Sequence, residues 1–200
     1  MSDPDTLEYY ESKAPFYTAS TALDRHRHLD PFLDRLMSGA SILELGCGGG
    51  RDGAHIMERG FALDATDGAT AMARKANERH DIGARVMRFD ELEAECEYDA
   101  VWAHACLLHL PRADLLPVLI RIHTALKPGG LHFANFKLGD AVHRDEGRDP
   151  LGRWTNLPTA QWLVDQYQAA GFELLGEETY HGNGSDGVQR DWFALTVQRT

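Results

Sequence analysis

The feature that most constrains this chain is a glycine-rich turn that directly follows a short apolar run. The apolar run is Ile42–Leu45, and glycines stand at positions 46, 48, 49 and 50. Glycine lacks a Cβ, so it adopts positive φ easily and lets a ligand approach the backbone. The pattern therefore predicts a buried strand, a tight turn and a helix, which together lie under a nucleoside-containing cofactor.

An acidic residue stands where such a cofactor would place its ribose. Asp67 comes nineteen residues after Gly48, at the end of a second apolar run. A carboxylate at the end of the neighbouring strand can accept hydrogen bonds from both ribose hydroxyls. It can also cap a helix that begins near Ala69, and the two roles are compatible because helices follow strand ends.

Two residues around the turn distinguish between cofactors. Dinucleotide-binding turns carry a small residue at the third position after the second glycine, so that helix and strand pack closely over the pyrophosphate. Arg51 occupies that position here and is too large for this packing. Glu44, two residues before Gly46, gives the pattern Glu-x-Gly-x-Gly-x-Gly instead. The turn therefore points away from a pyrophosphate.

Composition predicts a single-domain cytoplasmic enzyme over residues 1–200. The net charge is −11 and the four lysines are scattered, which disfavours nucleic acid as a partner. No apolar run approaches the roughly 20 residues needed to span a membrane, and the start resembles no secretory signal. Three cysteines without Cys-x-x-Cys spacing predict reduced thiols. No metal is expected, because His26 and His28 would point apart on a helix. The oligomeric state is not readable.

Apolar runs alternate with amphipathic stretches, which predicts an α/β fold with helices on both faces of a parallel sheet. The predicted strands are Ala40–Leu45, Phe61–Thr66, Ala84–Phe89, Tyr98–Ala103, Leu131–Phe136, Phe172–Thr179 and Trp192–Gln198. The last two are joined by a glycine-rich segment at 181–187, which is too short for a helix. We therefore expect these two strands to pair in an antiparallel arrangement.

Several motifs occur in the order that class I S-adenosylmethionine (SAM) methyltransferases show. They are the turn at 44–50, Asp64–Gly68, Tyr98–Val101, Leu126–Gly130 and Ala169–Phe172. The chain resembles this family over roughly residues 40 to 175. It is most similar to small stand-alone bacterial members near the tellurite-resistance type, whose turn also continues Gly-Arg. The resemblance implies a Rossmann-like three-layer sandwich, with a seven-stranded, mostly parallel sheet of order 3-2-1-4-5-7-6 and strand seven antiparallel.

The resemblance also implies a set of cofactor-binding residues. Asp67 would bind the ribose, and Arg51 would bind the methionine carboxylate or lie solvated in the first helical turn. Asp90 or Glu91 would hold the adenine, with no choice between them. The full set is Glu44, Gly46, Cys47, Gly48, Arg51, Asp67, Gly68, Asp90, Glu91, Ala103 and Tyr17.

Two histidines follow the fourth predicted strand, where the family places the SAM methyl group. His104 and His109 are candidate general bases, because the pKa of histidine lies near working pH. The alternative is that one or both only pack or bond to the backbone. A soft chalcogen or thiolate acceptor would need no base, since in-line transfer from a sulfonium depends mainly on alignment in a dry pocket.

Acceptor specificity is expected outside the motifs. Residues 1–38 would form a helical cap, in which Tyr17 lies near the sulfonium or anchors the helix. The long charged segment 137–157 is a candidate substrate loop or lid. Lys137, Arg153 and Arg190, with Arg144 and Arg148 in the loop, would form a cationic pocket for an anionic substrate. The alternative is a mobile surface loop whose acidic residues balance its arginines.

The sequence thus predicts a SAM-dependent methyltransferase that acts on an unidentified small molecule. Two other functions stay open. One is an NAD(P)-dependent oxidoreductase on a related Rossmann sheet, and the other is a non-catalytic SAM-binding protein.

Overall fold

The computed structural model describes residues 3–20, 27–139 and 145–200. Its helices are α1 (Pro4–Ser20), α2 (Leu29–Leu33), α3 (Arg51–Glu58), α4 (Thr70–His80), α5 (Arg112–Ala125) and α6 (Ala160–Ala169). Its strands are β1 (Ser41–Leu45), β2 (Ala62–Asp67), β3 (Arg85–Val86), β4 (Tyr98–Ala103), β5 (Leu126–Lys137), β6 (Glu146–Arg148), β7 (Trp154–Asn156), β8 (Phe172–Asn183) and β9 (Gln189–Arg199). His26 and Arg144 lie outside the described residues.

Seven of these strands form one sheet in the order β3-β2-β1-β4-β5-β9-β8. The first five are parallel, and β9 pairs antiparallel with both β5 and β8. Strands β8 and β9 occupy the places predicted for strands six and seven. Their numbers are higher by two because the small β6–β7 hairpin precedes them in the chain. The predicted fold class and strand order are therefore confirmed.

Helices cover both faces of the sheet because side chains alternate along each strand. On one face, Leu43 and Val101 belong to a core that includes residues of α5 and α6. On the other, Ile42 and Trp102 pack with residues of α2 and α3. Ala73 of α4 packs with residues from β2. This gives the predicted three layers.

Two local features differ from the sequence prediction. The third strand is confined to Arg85–Val86, because a short 3-10 helix already begins at Phe89. The segment 137–157 contains the β6–β7 hairpin rather than only irregular loop. Asp149 stabilises its turn by accepting hydrogen bonds from the backbone N–H groups of Leu151 (2.9 Å) and Arg153 (3.0 Å).

Helix α1 lies apart from the two covering layers and packs on α4. Ala14 and the partly buried Tyr10 and Tyr17 contact Met72 and its neighbours. Glu11 accepts a hydrogen bond from the backbone N–H of Ala71 at 2.9 Å. Helix α2 instead packs against the sheet, so the two parts of the predicted 1–38 cap occupy different places. No helix in the described ranges is long and apolar enough to cross a membrane.

Candidate cofactor and acceptor site

A cavity of about 410 Å³ opens at the carboxyl ends of β1, β2, β4 and β5. This is where open parallel sheets bind ligands, because the strand order reverses between β1 and β4. Most of the predicted site residues line it: Tyr17, Glu44, Gly46, Cys47, Gly48, Arg51, Asp67, Gly68, His104, His109, Lys137 and Arg153. Four predicted residues are not on its wall: Asp90, Glu91, Ala103 and Arg190.

The glycine turn joins β1 to α3 at the floor of this cavity. Gly46 has φ +68°, and a Cβ at this position would lie 2.6 Å from Cys106 Cβ. Gly50 has φ +80° and ends the turn as the residue that precedes α3. Both positions need a residue that tolerates left-handed backbone, and Gly46 also needs one without a side chain. The turn thus has the strand-turn-helix geometry that the sequence predicts.

Asp67 links the end of β2 to the glycine turn. One carboxylate oxygen accepts the backbone N–H of Gly48 at 2.9 Å, and the other accepts that of Ala69 at 2.9 Å. The second contact agrees with the expected capping role, although Ala69 itself is the residue that precedes α4. Burial raises the pKa of Asp67 to about 6. A carboxylate that lines the cavity and orders the turn is well placed for a ribose.

Glu44 lies on the strand before the turn and is 3 % exposed. Burial, with Asp52 and Asp67 nearby, raises its pKa well above the usual range. Its Oε2 atom has no hydrogen-bond partner among the described residues. A Cβ at Gly53 of α3 would lie 2.6 Å from that oxygen. Helix α3 can therefore approach β1 this closely only because residue 53 is glycine, a point that the sequence did not indicate.

Asp52 is a buried acidic residue on the cavity wall that sequence reasoning missed. One of its oxygens accepts a hydrogen bond from Arg51 Nε at 2.9 Å, and the other accepts one from Trp102 Nε1 at 3.1 Å. His104 Nδ1 lies 3.6 Å from the second oxygen. Arg51 is thus held against the site and is not only a solvated residue of the first helical turn.

His109 connects three parts of the structure. Its Nδ1 donates a hydrogen bond to the carbonyl oxygen of Trp154 at 2.6 Å, so Nε2 accepts one from the Tyr10 hydroxyl at 3.0 Å. Arg153 in turn donates to the same hydroxyl at 2.8 Å. Burial lowers the pKa of His109 to about 4. These contacts favour the packing alternative for His109 over the general base.

The residues predicted to hold adenine bind an arginine instead. Glu91 accepts a hydrogen bond from the backbone N–H of Arg88 at 2.8 Å, and Asp90 lies 3.3 Å from Arg88 Nε. Arg88 and Phe89 line the cavity in their place. Ala103 is fully buried in the core under α5 and α6.

The predicted cationic pocket is charge-balanced. Lys137 Nζ lies 2.6 Å from Asp186, and Arg153 lies 2.6 Å from Asp149, with all four side chains at least 97 % buried. The second pair agrees with the alternative that acidic residues balance the loop arginines. Because each cation already has a buried carboxylate, the wall presents little net positive charge.

Helix α1 and the β6–β7 hairpin also contribute to the cavity wall, through Thr6, Tyr10, Tyr17 and Arg153. The Trp154 backbone N–H donates to the Thr6 hydroxyl at 2.7 Å, and Arg148 binds Asp3 at 2.6 Å. Tyr10 and Tyr17 of α1 meet edge to face, with ring centroids 5.3 Å apart. The sequence singled out Tyr17 in the predicted cap but not Tyr10. No group of three metal-ligating residues occurs in the described part of the chain.

Sequence comparisons agree with this geometry. A family model described as a methyltransferase domain matches residues 42–130. A ubiquinone biosynthesis O-methyltransferase from Caulobacter vibrioides is 31% identical over 134 residues, 62% of this chain and 52% of that protein. A 2-methyl-6-phytyl-1,4-hydroquinone methyltransferase from Synechocystis is 27% identical over 150 residues, 72% of this chain and 45% of that protein. The chain thus spans about half the length of these two relatives.

Structure comparison supports the same fold. A 1,6-didemethyltoxoflavin N1-methyltransferase from Burkholderia thailandensis, solved with its substrate and S-adenosylhomocysteine, superposes with a TM-score of 0.75 and 22% identity. The match covers 98% of this chain and 86% of that one. Residues 42–130 thus match a methyltransferase domain, and the chain shares the fold of this solved methyltransferase.

Proposed function

We propose that this protein transfers the methyl group of SAM to a small-molecule acceptor. The observation that carries the proposal is Asp67, which lies in the cavity and bonds to the backbone of the glycine turn at Gly48. In nucleoside-binding sheets, a carboxylate at the end of a strand binds the ribose hydroxyls, and the neighbouring glycine turn lets the ligand approach the backbone. The family match over residues 42–130 supports SAM as the nucleoside.

The cavity residues fit SAM along its length. Asp67 would accept the ribose hydroxyls, and Arg51 would face the carboxylate of the methionine end. The ring of Phe89 offers an apolar wall for the adenine. The family resemblance assigned the adenine contact to Asp90 or Glu91. Bound SAM supplies a methyl group that is already activated by a sulfonium, so the protein contributes chiefly alignment and exclusion of water.

The far end of the cavity would hold the acceptor. Its wall includes Tyr10, Tyr180 and Trp192, with Lys137 and Arg153 as balanced ion pairs. Aromatic walls suit a compact ring compound. The names of the proteins compared above also refer to ring compounds: a hydroquinone, ubiquinone and a toxoflavin precursor. The wall contributed by α1 and the hairpin favours a small molecule over a polymer, and the net charge of −11 disfavours nucleic acid.

The finer predictions stay predictions. The similarity to the tellurite-resistance type rests on the Gly50-Arg51 continuation of the turn, and a cytoplasmic location rests on the reduced cysteines. We propose that the chain forms one domain, with α1 as its cap and the hairpin as part of a lid.

Calorimetry with SAM, S-adenosylhomocysteine and NAD⁺ tests the cofactor. We expect the first two to bind and NAD⁺ not to bind. Binding of NAD⁺ alone would favour the oxidoreductase, and binding of none would refute the proposal. Release of S-adenosylhomocysteine in the presence of a metabolite mixture would exclude the non-catalytic SAM-binding protein.

A further inference from the structure

Asp52 is a buried charged group on the cavity wall to which the proposed SAM contacts assign no role. Its side chain is only 6 % exposed, and it lies on the first turn of α3, directly after Arg51. A buried carboxylate must be paired or hydrogen-bonded to remain tolerable. Asp52 meets that need with Arg51 and Trp102, which are neighbours from two different elements.

The same carboxylate also faces a histidine. His104 follows β4 and lines the cavity, and its Nδ1 lies 3.6 Å from Asp52 Oδ2. This distance is longer than a hydrogen bond and shorter than the limit for an ion pair. Active-site contacts are often long in the empty site and shorten when charge develops. A carboxylate beside Nδ1 favours the tautomer with the proton on Nδ1, so Nε2 keeps its lone pair.

The surroundings keep His104 neutral at working pH. Burial lowers the pKa of His104 to about 4, while Asp52 opposes that shift and Arg51 and His28 add to it. These are the charged and titratable groups of the described residues that act on the ring. A neutral imidazole can take up a proton, and the adjacent carboxylate stabilises the imidazolium that results.

We propose that Asp52 is a positioning residue that orients His104 as a general base, and that the methyl acceptor therefore carries a removable proton on oxygen or nitrogen. This inference rests on the proposed function. In the step, the acceptor O–H or N–H proton passes to His104 Nε2, and the freed electron pair forms the bond to the methyl carbon. The S–CH₃ bond breaks with its electrons going to sulfur, which gives neutral S-adenosylhomocysteine. His104 then returns the proton to solvent.

The first test reads the tautomer directly. Protein with ¹⁵N-labelled histidine gives ring-nitrogen signals by NMR, and the His104→Gln variant assigns the His104 signal among the ten histidines. We expect the proton on Nδ1 at neutral pH in the wild type. In Asp52→Asn we expect a mixture of tautomers and a lower His104 pKa. A wild-type proton on Nε2, or a His104 signal unchanged by Asp52→Asn, would overturn the proposal.

A matched control comes from a second carboxylate–histidine pair, whose histidine lies on α3 and whose carboxylate lies on α2. Asp30 contacts His55 of α3 at 2.8 Å, and neither residue lines the cavity. Asp30→Asn also removes a carboxylate from a histidine, so it controls for a general loss of charge. We expect it to leave the His104 tautomer and pKa in place.

The second test uses two probe acceptors, phenol and benzenethiol. Phenol keeps its proton at neutral pH, whereas the aromatic thiol ionises readily and needs no base. With phenol, we expect His104→Gln to lower kcat about 100-fold, with the KM for SAM changed less than about twofold. We expect Asp52→Asn to lower kcat at least about tenfold, and its effect on kcat is read at saturating SAM because Asp52 also contacts Arg51. With benzenethiol, which needs no base, we expect both variants to lose much less of kcat than they lose with phenol.

Three outcomes of this second test would contradict the proposal. In the first, the wild type and the variants turn over phenol equally. In the second, the wild type turns over the thiol but not phenol. In the third, the wild type binds SAM but turns over neither probe. Failure of the wild type to bind SAM would instead refute the proposed function, while the NMR result would still report on the Asp52–His104 pair.

Discussion

SAM binding should depend strongly on the Asp67 carboxylate, and Asp67→Asn isolates its charge. Asparagine has nearly the same shape but only one acceptor oxygen. The wild-type carboxylate accepts N–H groups from Gly48 and Ala69, each at 2.9 Å. In the variant, one of these donors faces a side-chain NH₂ group and loses its acceptor. The proposed ribose hydroxyls also lose an ionised acceptor.

The size of the effect follows from these contacts. A hydrogen bond to a charged group contributes about 1.5–3 kcal/mol. Loss of one such bond to the ribose corresponds to SAM binding that is about 10- to 150-fold weaker, at about 1.4 kcal/mol for each tenfold change. The backbone N–H that loses its acceptor in Asp67→Asn separately lowers the free energy of unfolding by about 1–3 kcal/mol.

Calorimetric titration with SAM at about pH 8, where Asp67 is ionised, measures the binding effect. Asp64→Asn is the matched control, because Asp64 lies on the same strand but off the cavity wall and binds Arg85 and Tyr98. We expect the control to bind SAM like the wild type. Equal affinities for wild type, Asp67→Asn and Asp64→Asn would refute the ribose role of Asp67.

Three further predictions follow from the same region. Because burial raises the pKa of Asp67 to about 6 from 3.8, this group stabilises the ligand-free fold most below pH 3.8 and loses that effect as the pH rises through 6. SAM affinity should show the opposite trend and fall as the pH drops below 6, as calorimetry would measure. Gly46→Ala combines left-handed strain with the Cys106 clash, so urea unfolding should show a loss of about 2–5 kcal/mol. The control Gly60→Ala, with φ +83° and open space around it, should lose only about 1–2 kcal/mol. Tyr10→Phe removes the hydroxyl that ties α1 to the cavity wall, so hydrogen exchange in α1 should speed up, and unchanged exchange would contradict this tie.

The sequence predicted the sheet well because each of its signals was local. The order of apolar runs, the turn before Arg51 and the short return between β8 and β9 each depend on neighbouring residues. The same holds for the position of Asp67, whose spacing from Gly48 follows from one strand-turn-helix unit. Where a tight backbone turn holds a ligand, sequence spacing carries most of the geometry.

Tertiary pairing was not readable in the same way. Asp52 follows Arg51 in the first turn of a helix, where an acidic residue is ordinary and usually solvated. Its burial depends on Trp102, fifty residues along the chain. Likewise, Lys137 was counted as a cation for substrate, but its partner Asp186 lies in the distant β8–β9 turn.

Gly53 of α3 affects the position of both Arg51, which faces the proposed cofactor, and Asp52, which faces His104. A glycine inside a helix costs about 0.5–1 kcal/mol relative to alanine. Here its bare Cα faces the Glu44 carboxyl, where a Cβ would come within 2.6 Å of Oε2. A larger residue would push the first turn of α3 away from β1, together with Arg51 and Asp52. Arg51 faces the proposed cofactor and Asp52 faces His104, so the close packing at Gly53 sets the distance between cofactor and base.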